Sequence, residues 1–345
     1  MNILESINKA NIIIDVRSPS EFSHSHIPNA LNLPVFNDDE YKKIGILYKQ
    51  NPIEANFFGA SIACRNIANM LETNRDILNH KNKILLYCAR GGNRSLSLYS
   101  VLVALKFRVE RLENGYKAYR NIVLNHLNNK IERSFLTLCG NTGCGKSELI
   151  QKAQSWSIDL EMLCNHFGSS FGFIAKEGTK TLSVKMFQNM LFYNLVSKEG
   201  ILLIENESKK LGDIIIPKSL YEAYQNSKKI LITCDLEYRI QRILKLYQNI
   251  KESDFYITME KISPYMKKEI KNEIITAFKN DDKHRVAELL LVKYYDIKYK
   301  KSRYDFTVNS NDINKAYDEI LEIRDNIKIT TKSQQTIVKN KNPKN

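Results

Sequence analysis

Apolar and polar positions divide the chain into stretches with different periods. Asn11–Val16 (NIIIDV) and Lys83–Cys88 (KILLYC) are short apolar runs without alternation, the pattern of strands buried on both faces. Ser95–Phe107 repeats its apolar residues at helical spacing. Strands alternating with helices over residues 1–120 predict an α/β domain with a mainly parallel sheet. Residues 121–133 are polar and Asn-rich and predict a connector. Ser134–Gly140 (SFLTLCG) opens a second α/β unit, with further strands predicted at Ile201–Glu205 and Lys229–Asp235. From residue 238 the pattern is helical and basic, and the stretch from Thr330 predicts a frayed tail. The expected division is a domain over 1–125, a second over 130–260, a helical C-terminal region over 261–330 and a disordered tail over 331–345.

Composition narrows the picture. A chain of 345 residues with 43% apolar and 26% charged residues is globular and long enough for two domains. No apolar run approaches the roughly 20 residues that span a bilayer, so no membrane association is expected. The N-terminus has no basic region followed by an apolar stretch, and a cytoplasmic location is expected. The six cysteines, Cys64, Cys88, Cys139, Cys144, Cys164 and Cys234, include no C-x-x-C pair, so neither a structural metal nor a disulfide framework is expected. Net charge is +14, with +8 over residues 81–130 and +7 over 261–345. Such clustering favours a polyanionic partner. A Lys/Asn/Ile-rich composition also raises the pI without one, so charge alone leaves nucleic-acid binding open.

Two motifs carry chemistry. Cys88-Ala89-Arg90-Gly91-Gly92-Asn93-Arg94-Ser95 follows a predicted strand and precedes a predicted helix. Two glycines let the loop curl its amides inward, the helix adds its positive end, and Arg90 and Arg94 add full charges. Together these predict a lowered thiol pKa and a cradle for a tetrahedral anion, with Cys88 as nucleophile and Arg90 and Arg94 as anion-binding partners. A buried structural cysteine is the competing reading. Five residues separate Cys88 from Arg94, a ring sized for phosphate, so a cysteine phosphatase also competes. Tyr87 stands where such phosphatases carry His, and no general acid is evident.

The second motif, Gly140-Asn141-Thr142-Gly143-Cys144-Gly145-Lys146-Ser147, matches G-x-x-x-x-G-K-[ST] between a strand and a helix. Its amides would cradle a diphosphate, Lys146 would neutralise it and Ser147 would hold Mg²⁺. Glu205, with Glu207 close by, is the candidate metal-supporting acid, and Asp235 its rival.

Residues 1–120 resemble a rhodanese domain: Asp15-Val16-Arg17 with Glu21-Phe22, then His26-Ile27-Pro28-Asn29-Ala30, then Glu113-Asn114-Gly115-Tyr116. Asn29 stands where that family has Gly. Rhodanese and phosphate-loop segments in this order resemble the tRNA 2-selenouridine synthase family over nearly the whole chain. Shared segments include Gly115-Tyr116-Lys117-Ala118-Tyr119-Arg120, Asp159-Leu160-Glu161, Gly168-Ser169, Glu205-Asn206-Glu207-Ser208 and Tyr294-Tyr295-Asp296 with Tyr299. Asn206 replaces the family's usual Asp. The resemblance implies a transferase that replaces the sulfur of 2-thiouridine at the tRNA wobble position with selenium. Its co-substrates would be selenophosphate and geranyl diphosphate, with selenium carried on Cys88 as a perselenide. The phosphate loop would bind geranyl diphosphate or a nucleotide. Gly168, Ser169, Lys293, Tyr294, Tyr295 and Tyr299 would touch substrate or the tRNA anticodon stem-loop, unless the tyrosines are helix-packing core. A general rhodanese-type sulfurtransferase or a rhodanese-fold phosphatase fused to a nucleotide-binding domain is the alternative.

Overall fold

The structure, a computed structural model of the chain, describes residues 3–165, 182–298 and 303–340, with side chains of the last helix described to residue 328. It forms two compact units, Met1–Leu127 with Leu182–Tyr193, and Asn128–Thr181 with Asn194–Asn345.

In the first unit, β1 (Ile12–Asp15), β2 (Leu31–Asn32), β3 (Lys83–Tyr87) and β4 (Arg108–Arg111) form a parallel sheet ordered β2-β1-β3-β4. Ile14 pairs with Leu31 on one side and Leu86 on the other. Both β1 and β3 are apolar on both faces because helices cover both. Helices Pro52–Thr73 and Asn93–Ala104 deliver Ile62, Ile67, Met70, Leu98 and Leu102 to a core shared with Ile14, Leu86 and Cys88. The connector expected over 121–133 is instead largely the end of a helix, Gly115–Asn128. Its Asn-rich surface hides an apolar stripe, Tyr116, Tyr119, Val123 and Leu127, all buried and spaced to fall on one helical face.

In the second unit the strands are β5 (Phe135–Cys139), β6 (Ser157–Ile158), β7 (Leu202–Glu205), the short hairpin β8 (Lys210–Leu211) and β9 (Ile214–Ile215), β10 (Lys228–Thr233) and β11 (Phe306–Asn309). Five of them make a parallel sheet ordered β11-β10-β5-β7-β6. β5 lies at its centre and is wholly buried. Helix Lys146–Lys152 places Leu149 and Ile150, and helix Ile313–Asn340 places Ala316 and Ile320, in one core with Leu138, Leu203 and Ile232. The C-terminal region is helical, as expected, with one strand, β11, among its helices. The four residues of β11, FTVN, are too few to show a period, and pairing with β10 decides their conformation. The last helix runs to Asn340, past Thr330 where a tail was expected.

Helices Glu252–Ile262, Lys268–Lys279 and Lys283–Leu290 pack around a separate core of Phe255, Met259, Ile274, Val286 and Leu290. Phe255 and Phe278 stack within it, 3.7 Å between centroids. Among the described residues no helix is long and apolar enough to cross a membrane.

Candidate functional site

Each sheet presents its motif at the C-terminal end of a strand, where open parallel sheets bind ligands. The thiol site is built on β3. Cys88 follows the strand, is 3% exposed, and its Sγ lies 3.2 Å from Ser95 Oγ and 3.8 Å from the Gly92 carbonyl. Burial opposes ionisation of this thiol. Hydrogen bonds from Ser95 Oγ and from the amides of Ser95 and Arg90, with the Arg94 charge, outweigh it, so the pKa lies below that of an ordinary cysteine.

The ring around the sulfur is braced from outside the motif. Tyr116 N donates to the Cys88 carbonyl (2.8 Å) and Lys117 N to the Ala89 carbonyl (3.0 Å). Arg111 reaches back from β4 to donate to the Gly91 carbonyl at 2.7 Å. Gly115 has φ +54, and a Cβ there would lie 2.2 Å from the Cys88 carbonyl oxygen, so only glycine permits this approach. Asn114 beside it has φ +55, and Asn29, in the position usually held by Gly, has φ +65. Arg111 was invisible to motif reading because it lies on a strand distant in sequence.

Arg90 is exposed, and its backbone amide donates toward the Cys88 sulfur. Arg94 is held by Glu21 at 2.5 Å and lies over the Tyr41 ring, 4.6 Å from its centroid. Arg94 thus presents a fixed charge. Asn93 begins the helix, capped by Gly92. Asp15 and Arg17 form a buried pair at 2.6 Å, with Arg17 also donating to the Ser25 carbonyl. Arg17 stacks on Tyr116 and lies near Tyr87. Tyr87 Oη accepts from the Ile27 amide, so the residue before Cys88 is scaffold.

The second motif leaves β5. Gly140, Gly143 and Gly145 all have positive φ, which turns successive amides toward one concavity. A Cβ on Gly140 would meet the Ile232 carbonyl at 2.5 Å. Lys146 Nζ lies 2.8 Å from the Gly140 carbonyl and 3.3 Å from that of Asn141. Cys144 is buried, and burial pushes its thiol pKa up, so it stays neutral. Arg239 Nε donates to the Thr142 carbonyl at 2.9 Å while its other nitrogens grip Asp296 at 2.9 and 2.6 Å. Arg242 donates to the carbonyls of Gly143 and Ser310, and Ser310 Oγ to that of Cys144. Asp296 directly follows a π-helical turn, Leu291–Tyr295, so the tyrosine-rich C-terminal segment braces the phosphate loop. Residues so far apart in the chain carry no joint sequence signal.

Ser147 Oγ donates to Glu161 (2.9 Å) and Glu205 (3.0 Å). One carboxylate oxygen each from Glu161, Glu205 and Glu207 lies within 4.8 Å of the others. Burial first, then the charges of Glu161 and Glu207, push the Glu205 pKa far up. Burial and Glu161 push that of Glu207 up to about 7. Among the described residues, the buried Glu205 Oε2 has no hydrogen-bond partner. Three convergent carboxylates, an orphaned oxygen and a hydroxyl fit a hard divalent cation. Glu161 joins Glu205 and Glu207 only through the fold. Asn206 bonds Gln225 instead, and Asp235 pairs with Asn311.

Lys293 is exposed, Tyr294 is 4% exposed within the helical core, and Tyr295 packs against it. Tyr294 is therefore packing, the placement the sequence left open, because its ring has no face free for a base. Lys298 is held over the rings of Tyr265 and Tyr294. Gly168, Ser169 and Tyr299 lie outside the described residues.

A thiol ring on one parallel sheet and a phosphate loop on another define a two-domain protein, rhodanese-like and then phosphate-loop. Comparison with known families agrees: residues 2–122 match the rhodanese-like domain and residues 133–278 the tRNA 2-selenouridine synthase AAA domain. The chain is 34% identical to the tRNA 2-selenouridine synthase of Sulfurovum sp. over 70% of this chain and 68% of that one. It is 30% identical to that of Psychromonas ingrahamii over 72% and 68%. It is 29% identical to that of Hydrogenovibrio crunogenus over 86% and 92%. The chain belongs to the tRNA 2-selenouridine synthase family, a family of transferases.

Proposed function

We propose that the chain exchanges the 2-sulfur of a wobble-position 2-thiouridine in tRNA for selenium, in two steps served by two sites. The observation that carries this reading is the ionisable Cys88 thiol, fixed in an amide-lined ring, in a chain of this family that also holds a complete phosphate loop.

A thiocarbonyl sulfur is a poor leaving group. In the first step it attacks C1 of geranyl diphosphate, and the C1–O bond breaks with its electrons going to the diphosphate. The loop 140–147 and Lys146 receive the charge that develops there. A divalent cation held by Ser147, Glu161, Glu205 and Glu207 would neutralise part of it. In the second step the selenium of selenophosphate, already at the selenide level, attacks C2 of the base, and the C2–S bond breaks with its electrons going to the departing geranylthiolate. The Cys88 thiolate then attacks phosphorus, the P–Se bond breaks to leave the 2-selenouridine, and water hydrolyses the phosphocysteine to phosphate. The exposed Arg90 and the fixed charge of Arg94 attract the selenium donor's phosphate.

The test supplies purified protein with 2-thiouridine tRNA, geranyl diphosphate and selenophosphate and reads the nucleosides by mass spectrometry. S-geranyl-2-thiouridine followed by 2-selenouridine is expected; neither product would sink the proposal. The phosphate-sized spacing from Cys88 to Arg94 also favours a rhodanese-fold phosphatase. Rapid hydrolysis of an aryl phosphate with no change to the base would favour that reading.

A further inference from the structure

The helix Asp38–Gln50 starts at the thiol ring. The Arg94 guanidinium lies 4.6 Å from the centroid of its Tyr41 ring. Asp38 accepts from the amide and hydroxyl of Ser20, at 3.0 and 2.6 Å, next to the Glu21 that holds Arg94. Tyr41, Gly45 and Tyr48 then follow at spacings of four and three, which sets them in one row along the helix. The row is open to solvent, Tyr41 being 41% and Tyr48 55% exposed. Its seven-residue span carries it about 10 Å along the helix from Tyr41. Between the two tyrosines, a Cβ on Gly45 would meet nothing within 4 Å. A glycine in the exposed middle of a helix costs stability relative to alanine, and nothing packed against this one requires it. It leaves a notch of bare backbone between two aromatic rings. Lys42 and Lys49 flank the row on one side, both exposed and neither paired with a carboxylate among the described residues. Exposed rings edged with ammonium groups suit an unpaired RNA loop, in which each base offers a face to stack and each nucleotide a phosphate to neutralise. An RNA duplex would keep its base faces from the rings, and an apolar protein segment would leave the lysines without partners.

We infer that this row is the docking face for the unpaired RNA loop that presents a base to Cys88. The inference rests on the reading of Cys88 as the selenation site for tRNA. Fluorescence anisotropy of a labelled anticodon stem-loop RNA carrying 2-thiouridine, titrated with the full chain, tests it. Gly45→Leu fills the notch, and leucine favours a helix more than glycine does, so Tm should hold or rise while affinity falls at least about tenfold. Tyr48→Ala should weaken binding about tenfold, through the loss of one stacked base. Lys42→Ala combined with Lys49→Ala should weaken it too, and should lower the slope of log Kd against log salt by about one to two. Cys88 alkylation should stay within about twofold in all of them, because Tyr41 is left in place. Binding and selenation by the unaltered chain, with every variant within twofold of it, would overturn the docking face alone. So would a changed assembly mass in solution with RNA affinity unaltered, which would assign the row to a second copy of the chain. Failure of the unaltered chain to bind the stem-loop would overturn the tRNA reading and the docking face with it.

Discussion

The Cys88 thiol pKa is lowered in spite of its burial, and a few donors set that shift. The Ser95 hydroxyl at 3.2 Å is the largest favourable influence on the thiolate. A thiol whose pKa is depressed reaches its full alkylation rate at lower pH than free cysteine. Ser95→Ala should move the midpoint of Cys88 alkylation by iodoacetamide to higher pH and slow it severalfold at pH 7. An unmoved midpoint would show that the amides of Arg90 and Ser95 suffice. At the other motif, Glu205 carries a buried oxygen beside Ser147 that has no partner among the described residues. Glu205→Gln should weaken Mg²⁺-dependent pyrophosphate binding by about tenfold while leaving Mg²⁺-independent binding in place. Equal loss with and without Mg²⁺ would show that Glu205 acts by shaping the loop.

The decisive local features at the scale of elements are helix starts and close approaches. The helix Gly115–Asn128 begins where its first amides close on the Cys88 and Ala89 carbonyls. Gly115 permits this with a left-handed φ and no Cβ. Gly115→Ala should cost about 2–4 kcal/mol, from strain and the backbone clash together. It should also slow Cys88 alkylation more than it lowers helix content. Measuring Tm and alkylation rate on the same sample checks this. The phosphate loop is braced likewise from afar, by Arg239, Arg242 and Ser310. Such partners exist only once β10 and β11 have paired beside β5.

The two motifs lie on two sheets, each with its own core, and the proposed function divides two kinds of chemistry between them. Cys88→Ala should therefore abolish selenation while leaving geranylation within about twofold. Lys146→Ala, which removes the loop's ammonium, should lower geranylation by at least about a hundredfold. Mass spectrometry of nucleosides from both variants, at matched Tm, reads the two outcomes. Loss of both products in Cys88→Ala would refute the division of labour.

Both chemical loops were legible in the one-dimensional chain because each is contiguous. Eight residues between an apolar run and an amphipathic one suffice to announce a thiol ring or an anion cradle, since the donors are backbone amides. The alternation of strands with helices was legible for the same reason, being a local period. What only the tertiary structure decided is whatever joins distant residues: Glu161 beside Glu205 and Glu207, Arg111 and Gly115 against the thiol ring, and Asp296 through Arg239 to Thr142. The same holds for Tyr294, whose basic, aromatic neighbourhood suggested a surface but whose ring lies in a core. It holds too for β11, four residues whose conformation comes from their partner strand. Local patterns determine which groups are available; burial and pairing, which depend on the whole chain, determine which of them meet.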